Sequence, residues 1–144
     1  MTSLEVAQAA VASMFRGDRA SQSLGIEILE VAPGSVRIAM TVRPEMLNGH
    51  GVCHGGILFT FADSAFAFAC NSYGEPMVAA GATIEFLAPG QGGERLTAVA
   101  SELTRTARNG IYDVRIANQA GEALAVFRGR SSRLRTPPTN GNPS

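Results

Sequence analysis

The 144-residue sequence has no lysine, only two cysteines, no net charge and no apolar run long enough to cross a membrane. All twelve basic residues are arginines and they balance twelve acidic residues, so no overall charge favours nucleic acid or a membrane surface as a partner. The longest apolar stretch, Ile57 to Cys70, spans 14 residues and is interrupted by Thr60, Asp63 and Ser64. A bilayer-spanning helix needs about 20 predominantly apolar residues. We therefore expect a protein that binds neither nucleic acid nor a membrane.

The N-terminal segment and the cysteines indicate a cellular compartment. Met1 to Phe15 has no basic segment ahead of an apolar core, so we expect no secretory signal. Cys53 and Cys70 could form a disulfide in principle, but two thiols without an export signal fit a reducing compartment better. We therefore expect a cytoplasmic protein.

The composition predicts one folded domain. Apolar residues make up 45% of the chain and charged residues 17%, which suits a buried core. Sixteen glycines and seven prolines predict many tight turns, and thus an α+β fold rather than a helix bundle. We assign the domain to residues 1–135 and expect the polar, proline-containing segment 136–144 to be disordered.

Hydrophobic patterning predicts two helices and six strands. The helices are Leu4 to Phe15, with Ser3 as N-cap, and Ile57 to Tyr73, which is almost continuously apolar. The strands are bounded by turn residues and cover 26–32, 35–42, 77–87, 94–106, 111–118 and 122–133. We expect the last four to form a meander, in an antiparallel sheet that wraps around the second helix and buries it.

A glycine-dense loop leads into the buried helix. Asn48 to Gly56 (NGHGVCHGG) contains four glycines, two histidines, a cysteine and an asparagine. The first amides of a helix have no internal partner and carry partial positive charge, which suits the oxygen of a polarised carbonyl. Gly55 and Gly56 supply such amides and let a ligand approach the backbone closely. The alternative is a flexible connector whose glycines only permit a turn.

Asp63 favours the catalytic interpretation. It lies two turns into the helix among alanines and phenylalanines, where an unpaired carboxylate is costly. A structural acid satisfied by the backbone or an arginine is the alternative, but beside exposed helix amides the acid is typical of a catalytic base or nucleophile. Gly56 and Asp63 are seven residues apart, about 10.5 Å along a helix. This distance is too long for one reacting atom to contact both groups readily. Two antiparallel copies of the helix would bring them together, so this site predicts a dimer.

Two other site types are less consistent with the loop. His50, Cys53 and His54 are metal-ligand types, but a catalytic zinc site needs three rigidly held protein ligands and these lie in a glycine loop. Cys53 with His54 as its base would need side chains within hydrogen-bond reach, and adjacent side chains generally diverge. We expect no metal and no cofactor.

The segment NGHGVCHGGILFTFADSAFA, which begins at Asn48, resembles the hotdog-fold acyl-CoA thioesterases, most closely the phenylacetic acid degradation type. The pieces TIEFLAPG from Thr83, GIYDVRIANQ from Gly110 and FRGRS from Phe127 are also similar to that family, and the resemblance covers residues 12–134. It implies an α+β hotdog fold, with an antiparallel sheet wrapped around a long central helix. It also implies dimers with a shared active site, which often join into homotetramers.

The resemblance also implies roles for individual residues. The amide of Gly55, with that of Gly56, would polarise the thioester carbonyl, and Asp63 from the partner chain would attack it or activate a water. Asn48 would place the water or the thioester, and His54 would hold the loop or lie near the sulfur. Some relatives carry a hydroxyl residue near the start of the next strand. Here Thr83 is the first one, and whether it fills that role stays open.

A coenzyme A substrate needs arginines or exposed amides for its phosphates. The charge is split: residues 105–144 hold seven arginines and two acids, a net of +5, and residues 1–104 hold five and ten, a net of −5. Arg128 and Arg130 share one face of the last strand, and Arg108 precedes the predicted turn at Asn109 and Gly110. Solvated strand-edge charges are the alternative interpretation.

The favoured function is hydrolysis of an acyl-CoA thioester. By resemblance, arylacetyl groups such as (hydroxy)phenylacetyl come ahead of medium-chain acyl groups. The alternatives are a hotdog hydratase or dehydratase, which needs a histidine base at the acyl α-carbon, and a non-catalytic acyl-CoA-binding module, which gains little from a buried acid.

Overall fold

One long apolar helix lies against a six-stranded antiparallel sheet, as the sequence predicts. The structure is a computed structural model and describes residues 1–134. The predicted disorder at 136–144 lies outside the described residues. Within residues 1–134 no helix is both long and apolar enough to span a membrane.

Residues 1–134 form three α-helices and one short 3-10 helix, Pro44–Met46. The α-helices are α1 (Ser3–Gly17), α2 (Arg19–Ser23) and α3 (Gly55–Cys70). The N-cap of α1 is Thr2 and not Ser3, because the Thr2 hydroxyl accepts from the Glu5 amide while the Glu5 carboxylate accepts from the Thr2 amide. Helix α2 was not predicted from the sequence.

The strands are β1 (Glu27–Ala32), β2 (Ser35–Thr41), β3 (Met77–Phe86), β4 (Arg95–Arg105), β5 (Asn109–Ala117) and β6 (Ala123–Arg133). Their order in the sheet is β1-β2-β4-β5-β6-β3, with every pair antiparallel. The predicted four-strand meander is therefore wrong for β3, which pairs with β6 at the far edge. With β3 at this edge, the strands that contact α3 and bury it are β2, β3, β4, β5 and β6.

The core lies between α3 and the inner face of the sheet. Phe66 stands at its centre, with ring centroids 5.7 Å from those of both Tyr112 and Phe127. Gly129 lies under the Phe66 ring, and a Cβ there would come within 2.9 Å of three ring atoms. The least buried stripe of α3 has helical spacing and contains Gly56, Thr60, Asp63 and Ala67.

The two edges of the sheet are covered differently. Helix α1 packs against β1. Strand β3 is the opposite edge, and its segment 78–83 is exposed, with small residues at most positions. An exposed edge presents unpaired backbone groups that can pair with another strand.

Candidate active site

The N-terminus of α3 begins at the predicted glycines. The His54 side chain caps the helix: its Nδ1 atom accepts a hydrogen bond from the Gly56 amide at 2.9 Å. The His54 carbonyl accepts from the amides of Ile57 and Leu58. Within residues 1–134 the Gly55 amide donates to no acceptor, whereas the Gly56 amide is occupied. Gly55 is therefore the amide that is free to bind a ligand oxygen.

The loop before α3 is a structured turn and not a flexible connector. The Asn48 Oδ1 atom accepts from the amides of His50 and Val52, at 2.9 and 3.2 Å. The backbone pairs Leu47 with Cys53 in an isolated bridge. These bonds fix the oxygen end of the Asn48 side chain, and its Nδ2 group has no acceptor among the described residues. Asn48 can therefore donate a hydrogen bond from a fixed position.

An apolar groove runs beside the free amide. Its volume is about 340 Å³, and it is lined by Asn48, Val52, Cys53, Gly55, Leu58, Phe86, Leu87, Ala88 and Pro89. Two large apolar side chains are exposed there, Phe86 at 53% and Leu87 at 57%. The Phe86 ring lies over Gly55, since a Cβ on that glycine would be 3.1 Å from Phe86 Cζ. The groove can hold an apolar group whose polar end reaches the Gly55 amide.

Asp63 is a half-buried carboxylate without a partner among residues 1–134. It accepts no hydrogen bond and forms no ion pair within residues 1–134. Burial raises the pKa of Asp63 above its usual value, and the negative charge of Asp18 raises it further. A structural acid would normally be paired, so the alternative that an arginine or the backbone satisfies Asp63 does not hold in this structure.

A buried polar chain behind Asp63 was not predicted from the sequence. Asp18 caps α2 by accepting from the Ser21 amide and hydroxyl, at 2.9 and 2.6 Å. The Ser21 hydroxyl lies 2.7 Å from that of Ser64, the residue after Asp63. The signal for it was the stretch Asp-Arg-Ala-Ser from Asp18, which has the residue types of a helix N-cap.

Asp63 and Gly55 do not meet within one chain. Helix α3 is continuous from Gly55 to Cys70, so eight residues, or about 12 Å of helix, separate the two positions. The separation inferred from the sequence therefore applies to the structure.

The two arginines of β6 lie on the face of the sheet that is turned away from α3. Phe127 and Gly129 pack toward the helix, so Arg128 and Arg130 share the outer face, as predicted. Arg128 is held by two hydrogen bonds to Asp113, at 2.7 and 2.9 Å, and so is not a free phosphate-binding group. Among residues 1–134 the Arg130 side chain makes one long contact, which its Nη2 donates to the Ala80 carbonyl at 3.5 Å.

The outer face also carries a larger cavity of about 710 Å³, which Thr83 lines together with Asp113 and Arg128. Thr83 pairs with Arg128 across the strands and faces the same way, so within one chain its hydroxyl is turned away from α3. Asp63 and Gly55 do not line this cavity, whereas Gly55 lines the smaller groove.

The prediction of a turn at Asn109 and Gly110 is wrong. Both residues belong to β5, and the turn precedes them at 106–108. Gly110 is buried, and a Cβ there would lie 2.8 Å from the Tyr112 ring, so Gly110 has a packing role and no exposed amide for a phosphate. Arg108 and Asn109 are exposed at the end of this hairpin.

Among the described residues, Cys53, Cys70 and His50 do not form a further reactive centre. Burial raises the pKa of Cys53 to about 11, and that of Cys70 to about 12, so both are neutral thiols at physiological pH. In the part of the chain that the structure describes, no three His, Cys, Asp or Glu side chains converge as metal ligands would. His50 is exposed on the loop.

Comparisons with known proteins give the family. The model of the thioesterase superfamily matches residues 50–125. The chain is 46% identical over 122 residues to the acyl-coenzyme A thioesterase PaaI of Escherichia coli strain K12, covering 85% of this chain and 87% of that protein.

Two solved structures are similar as well. The structure of the E. coli PaaI protein from the phenylacetic acid degradation operon superposes with a TM-score of 0.91 and 42% identity, over 93% of this chain and 97% of that one. The TT0310 protein of Thermus thermophilus gives 0.78 and 38%, over 81% and 98%. These matches confirm the resemblance and the fold class predicted from the sequence. The chain belongs to the thioesterase superfamily and has the hotdog fold that the resemblance implied.

Proposed function

We propose that this chain hydrolyses the thioester of acyl-coenzyme A, with phenylacetyl-CoA or hydroxyphenylacetyl-CoA as the favoured substrates and related aryl or medium-chain acyl-CoAs next. The observation that carries the proposal is the combination of a free Gly55 amide with an unpaired, half-buried Asp63. The E. coli relative, named an acyl-coenzyme A thioesterase, supports this chemistry, and its operon supports the arylacetyl group.

The proposed reaction uses the two groups in different roles. The Gly55 N–H donates to the thioester oxygen and stabilises the negative charge that develops there. In one route Asp63 removes a proton from a water that adds to the carbonyl carbon, the C–S bond breaks, and coenzyme A takes the proton and leaves as the thiol with the free acid formed. In the other route Asp63 adds directly, the C–S bond breaks as coenzyme A leaves and takes a proton from solvent, and water then hydrolyses the acyl–Asp63 anhydride to the free acid. Asn48 Nδ2 donates to the water or to the thioester oxygen.

The proposed site is shared between two chains. The helix length keeps Asp63 and Gly55 of one chain about 12 Å apart. A second copy pairing antiparallel along the exposed edge of β3 would cover the least buried stripe of α3, which carries Asp63, and would place two α3 helices side by side. Asp63 of one copy then faces Gly55 of the other. Val99 and Val126, exposed on the outer sheet face, support a further contact that joins two dimers into a tetramer.

The groove and the arginines suggest where the two ends of the substrate bind. The apolar groove under Phe86 suits the acyl group. The β4–β5 hairpin lies at the Cys70 end of α3, where Arg105 and Thr106 line a small cavity with Cys70. Antiparallel pairing puts this end beside Gly55 of the other copy, so Arg108 would meet the phosphates of coenzyme A from there. Among the predicted cations Arg108 is favoured, because Arg128 is already paired with Asp113 and Arg130 lies on the outer face of the sheet.

The two alternative functions have less support. A hydratase needs a histidine base, and the His54 Nδ1 atom is engaged with the Gly56 amide while His50 is exposed on the loop. A binding module needs no unpaired carboxylate in its helix.

The free thiols of Cys53 and Cys70 agree with action in the cytoplasm.

A panel of acyl-CoAs tests the function. The protein is incubated with phenylacetyl-, hydroxyphenylacetyl-, octanoyl- and crotonyl-CoA in the presence of a reagent that reports free thiol. Thiol release that is fastest with the arylacetyl thioesters supports the proposal. Loss of the enoyl absorbance of crotonyl-CoA without thiol release would instead show hydration, and tight binding without either change would show a binding module.

A further inference from the structure

The buried polar chain behind α3 ends at the residue next to Asp63. Ser21 and Ser64 are 0% and 7% exposed, so their hydroxyls have no bulk water to bind. The Ser21 hydroxyl donates its only hydrogen to Asp18 Oδ2. Its contact with Ser64 must then be donated by Ser64. The chain of hydrogen bonds thus runs in one direction, from α3 to the carboxylate of Asp18.

Among the described residues no arginine lies within ion-pair distance of the Asp18 carboxylate. Both of its carboxylate oxygens are occupied by Ser21 donors, which fixes the side chain in place. The fold therefore holds an acid in a defined position against the turn of α3 that carries Asp63.

Within residues 1–134 two influences act on the pKa of Asp63, which are burial and the charge of Asp18. On α3 itself the titratable neighbour is the Cys70 thiol, which burial keeps neutral. Asp18, on the N-terminal side of α2, is the charged group among residues 1–134 that acts on Asp63, and it raises the pKa of Asp63 in addition to burial. Both influences favour the protonated form, which makes the ionised carboxylate a stronger base.

We propose that Asp18 is a positioning residue for Asp63. This role rests on the hydrolytic function proposed above. The link through Ser21 and Ser64 holds the carboxylate of Asp18 against the turn of α3 that carries Asp63. A proton on Asp63 is thereby favoured during the step in which it takes one from water. A purely structural role as the cap of α2 would leave the titration of Asp63 unchanged.

The variant Asp18→Asn separates these two roles. Asparagine is an equally good N-cap and can still bond to Ser21, but it removes the charge. We expect the acid limb of the kcat/KM profile to shift to lower pH, because the pKa of Asp63 falls, and the plateau rate to fall with the weaker base. The control Glu30→Gln removes one exposed negative charge from the β1–β2 hairpin, where Glu30 pairs with Arg37, and should leave the profile in place.

A readout besides activity makes the test independent of the hydrolytic function. The ¹³C-carboxyl signal of Asp63 is titrated in the wild-type protein and in Asp18→Asn, with Asp18→Ser as a second capping variant should the first not fold. A lower pKa of Asp63 in either folded variant supports the proposal. An unchanged titration overturns it, even if the rate falls. Absence of thioester cleavage by the wild-type protein would instead overturn the proposed function, and the titration would still decide the role of Asp18.

Discussion

The imidazole of His54 accepts the Gly56 amide hydrogen at 2.9 Å and so decides which of two adjacent glycines has a free amide. Because Nδ1 is the acceptor, the ring proton lies on Nε2. The Gly56 N–H is satisfied by this bond and the Gly55 N–H has no acceptor within residues 1–134. The sequence pattern His-Gly-Gly offered both amides equally, and the capping histidine distinguishes them.

Removing the cap is expected to lower stability. His54→Ala should reduce the free energy of unfolding by about 0.5–2 kcal/mol, since the Gly56 amide loses its acceptor. His54→Asn, which restores a capping oxygen, should recover most of this loss. Urea unfolding measures both, as a shift of the midpoint with an unchanged slope. Equal stability of the alanine variant and the wild type would show that the cap contributes little.

Gly55 and Gly129 should respond differently to alanine. At Gly55 the new Cβ meets the half-exposed Phe86 ring at 3.1 Å, and this ring can move aside. We expect Gly55→Ala to fold normally and to lose turnover, because the methyl group lies where the thioester approaches the amide. At Gly129 the Cβ would meet the buried Phe66 ring at 2.9 Å, so Gly129→Ala should cost about 1–3 kcal/mol.

The double variant Gly55→Ala with Phe86→Ala identifies the cause of the lost turnover. If displacement of the phenylalanine ring were responsible, the double variant would be as active as Phe86→Ala alone, which lacks the same part of the groove. We expect the double variant to be far less active in a thiol-release assay, because the methyl group itself obstructs the carbonyl oxygen.

Asp63→Asn should lower the turnover rate and raise the stability of the folded protein. Turnover should fall about 10²–10⁴-fold, as for the loss of a general base. The pKa of Asp63 is raised in the folded protein, so its ionisation opposes folding. The asparagine variant should therefore unfold at a higher temperature than the wild type near pH 7. This advantage should shrink as the pH falls through the raised pKa of Asp63 and vanish below the unfolded value of 3.8.

Thermal unfolding of both proteins between neutral and acid pH checks the sign. Asp113→Asn is the matched comparison, because Arg128 lowers the pKa of Asp113, chiefly through their hydrogen bond. Its ionisation favours folding, so that variant should be less stable than the wild type near neutrality. The same trend for both variants would contradict the assignment of Asp63 as an unpaired acid.

Local sequence patterns predicted the helices and strands better than they predicted which strands and side chains pair with each other. The apolar run of α3 with a single acid was enough to predict a buried helix and to select Asp63. The place of β3 beside β6 was missed, because strand order depends on how the sheet closes around α3 and not on any local signal. The pairing of Arg128 with Asp113 depends on strand register between residues 15 positions apart, so the sequence presented Arg128 as free.

Asp18 shows the same limit at the site itself. In the structure Asp18 is both the C-cap of α1 and the N-cap of α2. Its connection to α3 spans 43 residues between Ser21 and Ser64, so no spacing rule could predict it. Gly110 was interpreted as a turn residue from its Asn-Gly context, whereas the structure uses it to make room for the Tyr112 ring.

Arg108 should affect binding of the coenzyme and not the chemistry. Arg108→Ala is expected to raise the KM for phenylacetyl-CoA about tenfold, as for loss of one charge-assisted hydrogen bond to a phosphate. The KM for the N-acetylcysteamine thioester of phenylacetate, which has no phosphates, should not change. Arg37→Ala, which removes an arginine of the β1–β2 hairpin paired with Glu30, is the control for a general loss of charge. Equal effects on both substrates would place Arg108 outside the phosphate site.

Complementation between two inactive variants tests the shared site most directly. A chain with Asp63→Asn keeps Gly55, and a chain with Gly55→Val keeps Asp63. If each site takes Asp63 from one chain and Gly55 from the other, a mixed dimer has one intact site and one that carries both changes. Co-refolding equal amounts should then restore about a quarter of the wild-type sites, since about half of the dimers are mixed. A site formed within one chain would give no recovery, because every chain in the mixture carries one of the two changes.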